Sequence, residues 1–178
     1  MSDCECNKKY SIPNDQTNFF DITAPYVYVP KLQFVKTREV KSPNRANEYD
    51  AGIDFFVPDD ADGYIVNPQH RILIPSGIHV RIPHGYMLKA EDKSGVGVKK
   101  GLKYLGGVVD ETYQGEIHIC IFNTGNDVVH ISPGEKLIQF ILIPVLYSET
   151  EEVDNLEELY KNHNSNRGSG GFGSTGDR

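Results

Sequence analysis

The chain has 178 residues, is 38% hydrophobic and carries a formal net charge of −7. That suits one folded domain with tails, and no apolar run approaches the roughly 20 residues of a membrane span. The acid sits at the ends, with four acids against two bases in residues 1–25 and seven against three in residues 148–178; without a basic stripe no nucleic-acid polymer is expected as partner, while a small anionic ligand stays open.

Residues 1–26 read as a flexible N-terminal extension, polar and without a sustained period, with Phe19, Phe20 and Ile22 as candidate anchors. The opening Met1-Ser2-Asp3-Cys4-Glu5-Cys6 is acidic and lacks the apolar stretch of a secretory signal. Cys4 and Cys6 are too close for an easy bridge, and no Cys/His pair of metal-ligand spacing accompanies them. Three cysteines are an odd count, so a reduced, cytoplasmic setting is expected.

Val27, Val29, Leu32, Phe34 and Val35 suggest a first strand, broken by Pro30, and Lys36 to Tyr49 a loop turning at Pro43-Asn44. Ala51 to Val57 is a short apolar strand stopped by Pro58, and Asp59 to Gly63 a turn. Three strands follow at Ile72–Ile74, Ile78–Ile82 and Tyr86–Leu88, divided by Pro75-Ser76-Gly77 and Pro83-His84-Gly85. Val96 to Lys100 fits one helical turn. Gly106 to Ile117 then reads as a β-hairpin with Asp110 and Tyr113 near its tip and Gly115 at a positive φ. Ile117, Ile119 and Ile121 alternate with polar neighbours, the period of a half-buried strand. Val128–Ile131 and Lys136–Val145 are two more strands around Ser132-Pro133-Gly134. Turn signals every eight to twelve residues or about that predict an all-β sandwich or barrel. A helix is expected over Val153–His163, with an acidic start. The division that results is a β-barrel core over 27–147, an arm with a short helix over 148–166 and a Gly-rich tail over 167–178.

Five segments carry chemistry. Asp54 sits inside an apolar strand, where a buried carboxylate needs a partner. Either a structural hydrogen bond or work beside a metal would supply one. Lys93-Ser94-Gly95-Val96-Gly97-Val98-Lys99 joins glycines, cations and a hydroxyl, but its spacing is not that of a P-loop. Asp110 is a candidate general base beside the Tyr113 ring, or a plain turn residue beside a packing ring. Gln139 is an amide inside an apolar strand. In Arg167-Gly168-Ser169-Gly170-Gly171-Phe172-Gly173-Ser174-Thr175-Gly176, five glycines can aim backbone N–H groups at an anion, Arg167 suits phosphate, and Phe172 could cover a flat ring.

The order of these pieces, from Ala51-Gly52-Ile53-Asp54 through Gly107-Val108-Val109-Asp110 and Gly134-Glu135-Lys136-Leu137-Ile138-Gln139 to the Gly-rich tail, resembles the five motifs of the trimeric dUTPase family over residues 27–176. The resemblance implies a distorted jelly-roll β-barrel with a mobile C-terminal arm, assembled as a homotrimer whose active sites are shared. It implies hydrolysis of dUTP to dUMP and pyrophosphate with Mg²⁺, which controls the dUTP pool and supplies dUMP for thymidylate synthesis. Asp110 matches the general base, and Tyr113 the ring that packs on deoxyribose. Backbone groups of a Lys103–Asp110 hairpin, Gly107 among them, match the uracil reader. Ser94 and Gln139 match phosphate contacts, with Lys93 beside them, and Asp54 the carboxylate that holds magnesium through water. Phe172 matches the ring that stacks on uracil; Arg167, Gly173, Ser174 and Thr175 match the γ-phosphate clamp.

Three departures stand out. Asp92-Lys93 replaces the family's Pro-Arg, keeping the charge but losing a bidentate grip. Thr112 replaces an acid. The stretch between Gln139 and Arg167 is a few residues longer than the family's, room for the helix expected over Val153–His163. The dCTP deaminases are similar in fold, but where they place a catalytic Glu, three residues before the match to Asn123, this chain has Cys120. A dUTPase-like scaffold that only binds a protein is the other rival, and the joint presence of Asp110, Tyr113, Arg167 and Phe172 speaks against it.

Overall fold

In the computed structural model, which describes residues 29–166 and 168–170, the period-2 stretches become strands of alternating burial. The strands are β1 (Gln33–Lys36), β2 (Ile53–Phe56), β3 (Tyr64–Val66), β4 (Arg71–Arg81), β5 (Tyr86–Asp92), β6 (Leu102–Tyr104), β7 (Val108–Val109), β8 (Glu116–Asn123), β9 (Val129–Ile131) and β10 (Lys136–Pro144). Two short helices, α1 (Ser94–Lys100) and α2 (Leu156–Leu159), complete the described elements.

Hydrogen bonds divide the strands into three antiparallel ladders rather than one closed barrel. Their orders are β1-β4-β8-β6, β2-β10-β5-β7 and β3-β9. Along β8 every second residue, Ile117, Ile119, Ile121 and Asn123, is buried. The three isoleucines meet Phe55, Ile74, Leu88, Ile138 and Phe140 in one core. The Phe55 and Phe140 rings, on paired strands, stand 4.7 Å apart and tilted by 60°, a favourable aromatic geometry. Each such side chain contributes about 1.5–3 kcal/mol by leaving water. Asn123 is buried too, and is satisfied: its amide donates to the carbonyls of Val66 and Asp127, and its oxygen accepts from Gly125 N.

Four expectations for the strands and their connections are corrected. Pro75-Ser76-Gly77 does not end a strand. It is a bulge inside the 11-residue β4, where the register with β8 shifts between Pro75 and His79. Proline lacks the ladder N–H and glycine takes φ +71°, which is what a bulge requires. Ser76 Oγ closes the gap by donating to Ile117 O at 2.6 Å. Next, β7 and β8 form no hairpin. β7 pairs with β5 in one ladder and β8 with β4 and β6 in another, so residues 110–115 cross between ladders. For the same reason Lys103–Asp110 is not a paired hairpin: Gly106, at φ +101°, turns the chain from β6 toward β7. Last, Gly115 has no positive φ.

The elements missing from the sequence reading are β3 and β6, three residues each. Contacts divide the chain after Pro144. In the second unit α2 spans one turn instead of Val153–His163. Asn155 caps it, accepting from Glu158 N at 2.9 Å, but none of its residues is buried, and a helix without a packed face propagates poorly. No described helix is long and apolar enough to cross a membrane.

Candidate active site

Asp54 and Gln139 are register partners on β2 and β10. Strand pairing thus places a carboxylate beside an amide that lies 85 positions later in the numbering. Asp54 is 3% exposed. Its backbone bridges Asn44, with Asp54 N donating to Asn44 O at 2.7 Å. Its carboxylate is held from both sides: Lys93 Nζ donates to Oδ1, and Lys136 Nζ to Oδ2 at 3.0 Å. Lys93 occupies the position between β5 and α1, and Lys136 opens β10.

Gln139 donates from Nε2 to Asp92 O at 3.1 Å. Its side chain lies so close over Gly52 that a Cβ there would overlap it. Gly52, Asp54, Lys93 and Gln139 line one pocket of about 320 Å³, with Ala51 and Asp50 at its wall. Ser94, exposed at the first position of α1, follows Lys93 directly.

The second half of the site is the crossing segment. β7 is stitched to β5 by Leu88–Val109 pairing and by Ala90 N donating to Gly107 O at 2.8 Å. Asp110 follows it, exposed, and begins a turn closed by Tyr113 N donating to Asp110 O at 3.0 Å. Glu111 ties that turn to the preceding one. Its carboxylate accepts from Gly85 N at 2.7 Å and stands 3.0 Å from His84 Nδ1. Tyr113 folds its phenol onto Gly115 and donates to Glu116 O at 2.9 Å. Near the turn at Gly106, the Tyr104 phenol is pushed up from its ordinary pKa by burial, with Cys120 adding to the shift. Tyr104 N donates to Asp92 Oδ1 at 2.6 Å, a link between the two large ladders.

The structure therefore brings Asp54, Lys93 and Gln139 together, but not Asp110 with them. Val109 is level with Leu88, and Gln139 with Glu91. Asp110 then lies about 13 Å along the strands and about 10 Å across them from Gln139 of the same chain. Arg167, Phe172, Gly173, Ser174 and Thr175 lie outside the described residues. Lys136, Asp92 and Glu111 went unselected in the sequence. The only signal for Lys136 was the need of buried Asp54 for a cation.

Magnesium does not fit Asp54 as it stands. Each carboxylate oxygen already faces an ammonium group. No group of three His, Cys, Asp or Glu that could hold a metal occurs among the described residues.

A family model described as dUTPase matches residues 38–176. The chain belongs to the dUTPase family. Its all-β architecture is that family's jelly-roll type, and membership makes it a hydrolytic enzyme of the dUTP diphosphatase class. The deoxyuridine 5'-triphosphate nucleotidohydrolase of Hydrogenobaculum sp. is 36% identical over 149 residues, which cover 82% of this chain and 98% of that protein. The protein of the same name from Bdellovibrio bacteriovorus is 40% identical over 114 residues, 63% of this chain and 72% of that one. Among solved structures, a dUTPase of Staphylococcus bacteriophage 80alpha, with dUpNHpp, superposes with a TM-score of 0.71 at 26% identity, covering 82% of this chain and 98% of that chain. A dUTPase from phage phi11 of S. aureus, described with a structural Mg(II) ion, gives a TM-score of 0.64 at 26% identity over 71% of this chain and 99% of that one.

Proposed function

We propose that this chain hydrolyses dUTP to dUMP and pyrophosphate at sites shared between copies in a homotrimer. The observation that carries the reading is the convergence of Gly52, Asp54, Lys93 and Gln139 on one polar pocket. These residues come from three distant segments, and the pocket combines a cation and an amide, donors suited to phosphate oxygens.

In this reading Asp110 takes a proton from a water as that water attacks the α-phosphorus. A P–O bond to water forms, the bond to the pyrophosphate oxygen breaks, and dUMP leaves carrying the new oxygen. The base must be within hydrogen-bond reach of the water it activates. The separation of Asp110 from Gln139 within one chain therefore supports a site built from facing subunits, as in a closed ring. Tyr113 would lie against the deoxyribose and leave no room for a 2′-hydroxyl. The Gly106-Gly107 turn offers backbone groups to the uracil edge. Ser94, Lys93 and Gln139 would take the phosphates. Arg167, Gly173, Ser174 and Thr175 would take the γ-phosphate, and Phe172 the uracil face. Magnesium, if it accompanies the triphosphate, would supply charge neutralisation. The unbridged Cys120 supports a reducing, cytoplasmic setting, where the reaction would lower dUTP and supply dUMP for thymidylate synthesis.

The test is a nucleotide panel of dUTP, dTTP, dCTP and UTP with Mg²⁺, following pyrophosphate and ammonia. Pyrophosphate from dUTP alone is the expected result. Ammonia from dCTP would move the chain to deamination, and no turnover of any nucleotide would leave a binding scaffold.

A further inference from the structure

We propose that Asp54 is a positioning residue for two phosphate-gripping ammonium groups, Lys93 and Lys136, and that it does not hold magnesium. The proposal rests on the reading of this pocket as the triphosphate site.

Asp54 lies on the edge strand β2, Lys136 on its neighbour β10, and Lys93 just past the end of β5, the next strand in the ladder. The lysines approach opposite oxygens of one carboxylate from 39 and 82 positions away in sequence. A carboxylate this buried requires compensation, and one lysine would provide it. With Asp50 at the pocket wall accepting from Asn47 instead, the second leaves the immediate surroundings of Asp54 positive, two ammoniums against one carboxylate. That is the wrong sign for a divalent cation and the right sign for a polyphosphate.

The geometry also explains how lysine can stand where the family has arginine. Lysine is a flexible stem with a point charge, and it loses much rotamer freedom when it grips a phosphate. An ammonium has three N–H donors. With one donor spent on Asp54, the stem is already ordered and the others remain for a ligand. Lys93 lines the pocket beside Gln139. Lys136 keeps 48% of its side-chain surface accessible, so it can still meet a phosphate oxygen.

The experiment measures binding of dUpNHpp to the full-length protein, once with Mg²⁺ and once with a chelator. Asp54→Asn should weaken binding about tenfold, the loss of a charge-assisted contact's worth of order. The factor should be the same with and without the metal, and in turnover it should appear in KM rather than kcat. In a Lys93→Met/Lys136→Met background, Asp54→Asn should add less than about a further twofold, because the groups it orders are gone. An Asp54→Asn protein with wild-type affinity in chelator, and no gain from Mg²⁺, would show a metal holder and overturn the proposal. Full additivity with the lysine variants would overturn it too. If Asp54→Asn does not fold, Lys136→Met decides alone: about tenfold weaker metal-free binding supports the cradle, and unchanged binding sinks it. Wild-type protein that binds inorganic triphosphate through these lysines, yet neither binds dUpNHpp nor cleaves dUTP, would keep the cradle and reject the dUTP reading.

Discussion

Tyr113 and Gly115 touch: the phenol of the first lies where a Cβ on the second would be. The need for glycine here is therefore space and not a left-handed backbone. With the ring in place, Tyr113 Oη reaches Glu116 O at 2.9 Å, which fixes the wall proposed to meet the sugar.

Gly115→Ala should push that ring out and break its hydrogen bond while leaving the strands intact. The expected readout is selectivity. The ratio of kcat/KM for dUTP over UTP should fall by about tenfold or more, the scale of a lost steric or hydrogen-bond discrimination. An unchanged ratio, with the protein folded, would remove Tyr113 from the sugar wall.

Gly77 has the opposite character. It sits at φ +71° in the β4 bulge, and a Cβ would meet the Cβ of Arg38 at 2.8 Å. Gly77→Ala should destabilise the fold by about 1–2 kcal/mol, combining left-handed strain with the clash. A urea unfolding curve should show a lower midpoint at an unchanged slope. A wild-type midpoint would mean that the bulge relaxes freely.

These two glycines show what could be read from the chain and what could not. The alternation in Ile117, Ile119 and Ile121 named the buried face of β8 correctly, because side-chain period is a local property. It could not name the partner strand. β7 joins β5 and β8 joins β4 and β6, and that choice is made by long-range pairing. The hairpin expectation failed there for that reason. Likewise, the apolar setting of Asp54 predicted a partner, but Lys136 is 82 positions away and looks like any strand-end lysine. Gln139 was legible as an amide in an apolar run. That it rests on Gly52 was visible only in the folded chain.

Tyr104 offers a pH test. Burial, then Cys120, raises its pKa. The folded protein thus keeps the phenol proton more tightly than the unfolded chain. The stabilisation is fully present below the ordinary tyrosine pKa, and it is lost as pH rises through the higher folded value. Tyr104→Phe should flatten the loss of stability on the alkaline side and leave the neutral region little changed, since the Tyr104 Oη to His118 O contact is long at 3.4 Å. Denaturant midpoints across the alkaline range check this. Parallel curves for the two proteins would show that Tyr104 does not titrate with unfolding.

The shared site makes the most demanding prediction. Asp110→Asn should keep dUpNHpp binding and lose about 10²–10⁴-fold in turnover, the range for removing a general base. Gln139→Ala should weaken phosphate binding. Within one chain the two residues are four register positions and two strands apart, too far to serve one reacting phosphorus. If Asp110 of one copy faces Gln139 of another, the two impaired variants can complement when substrate is kept too dilute for Gln139→Ala to bind it. Refolding Asp110→Asn and Gln139→Ala together in equal amounts should restore about a quarter of wild-type turnover, because a site drawing on two copies finds both intact residues at that frequency. Mixing the two after separate refolding should restore none until subunits exchange. Activity no higher than the sum of the separate variants, in particles shown to be mixed, would mean that each chain completes its own site.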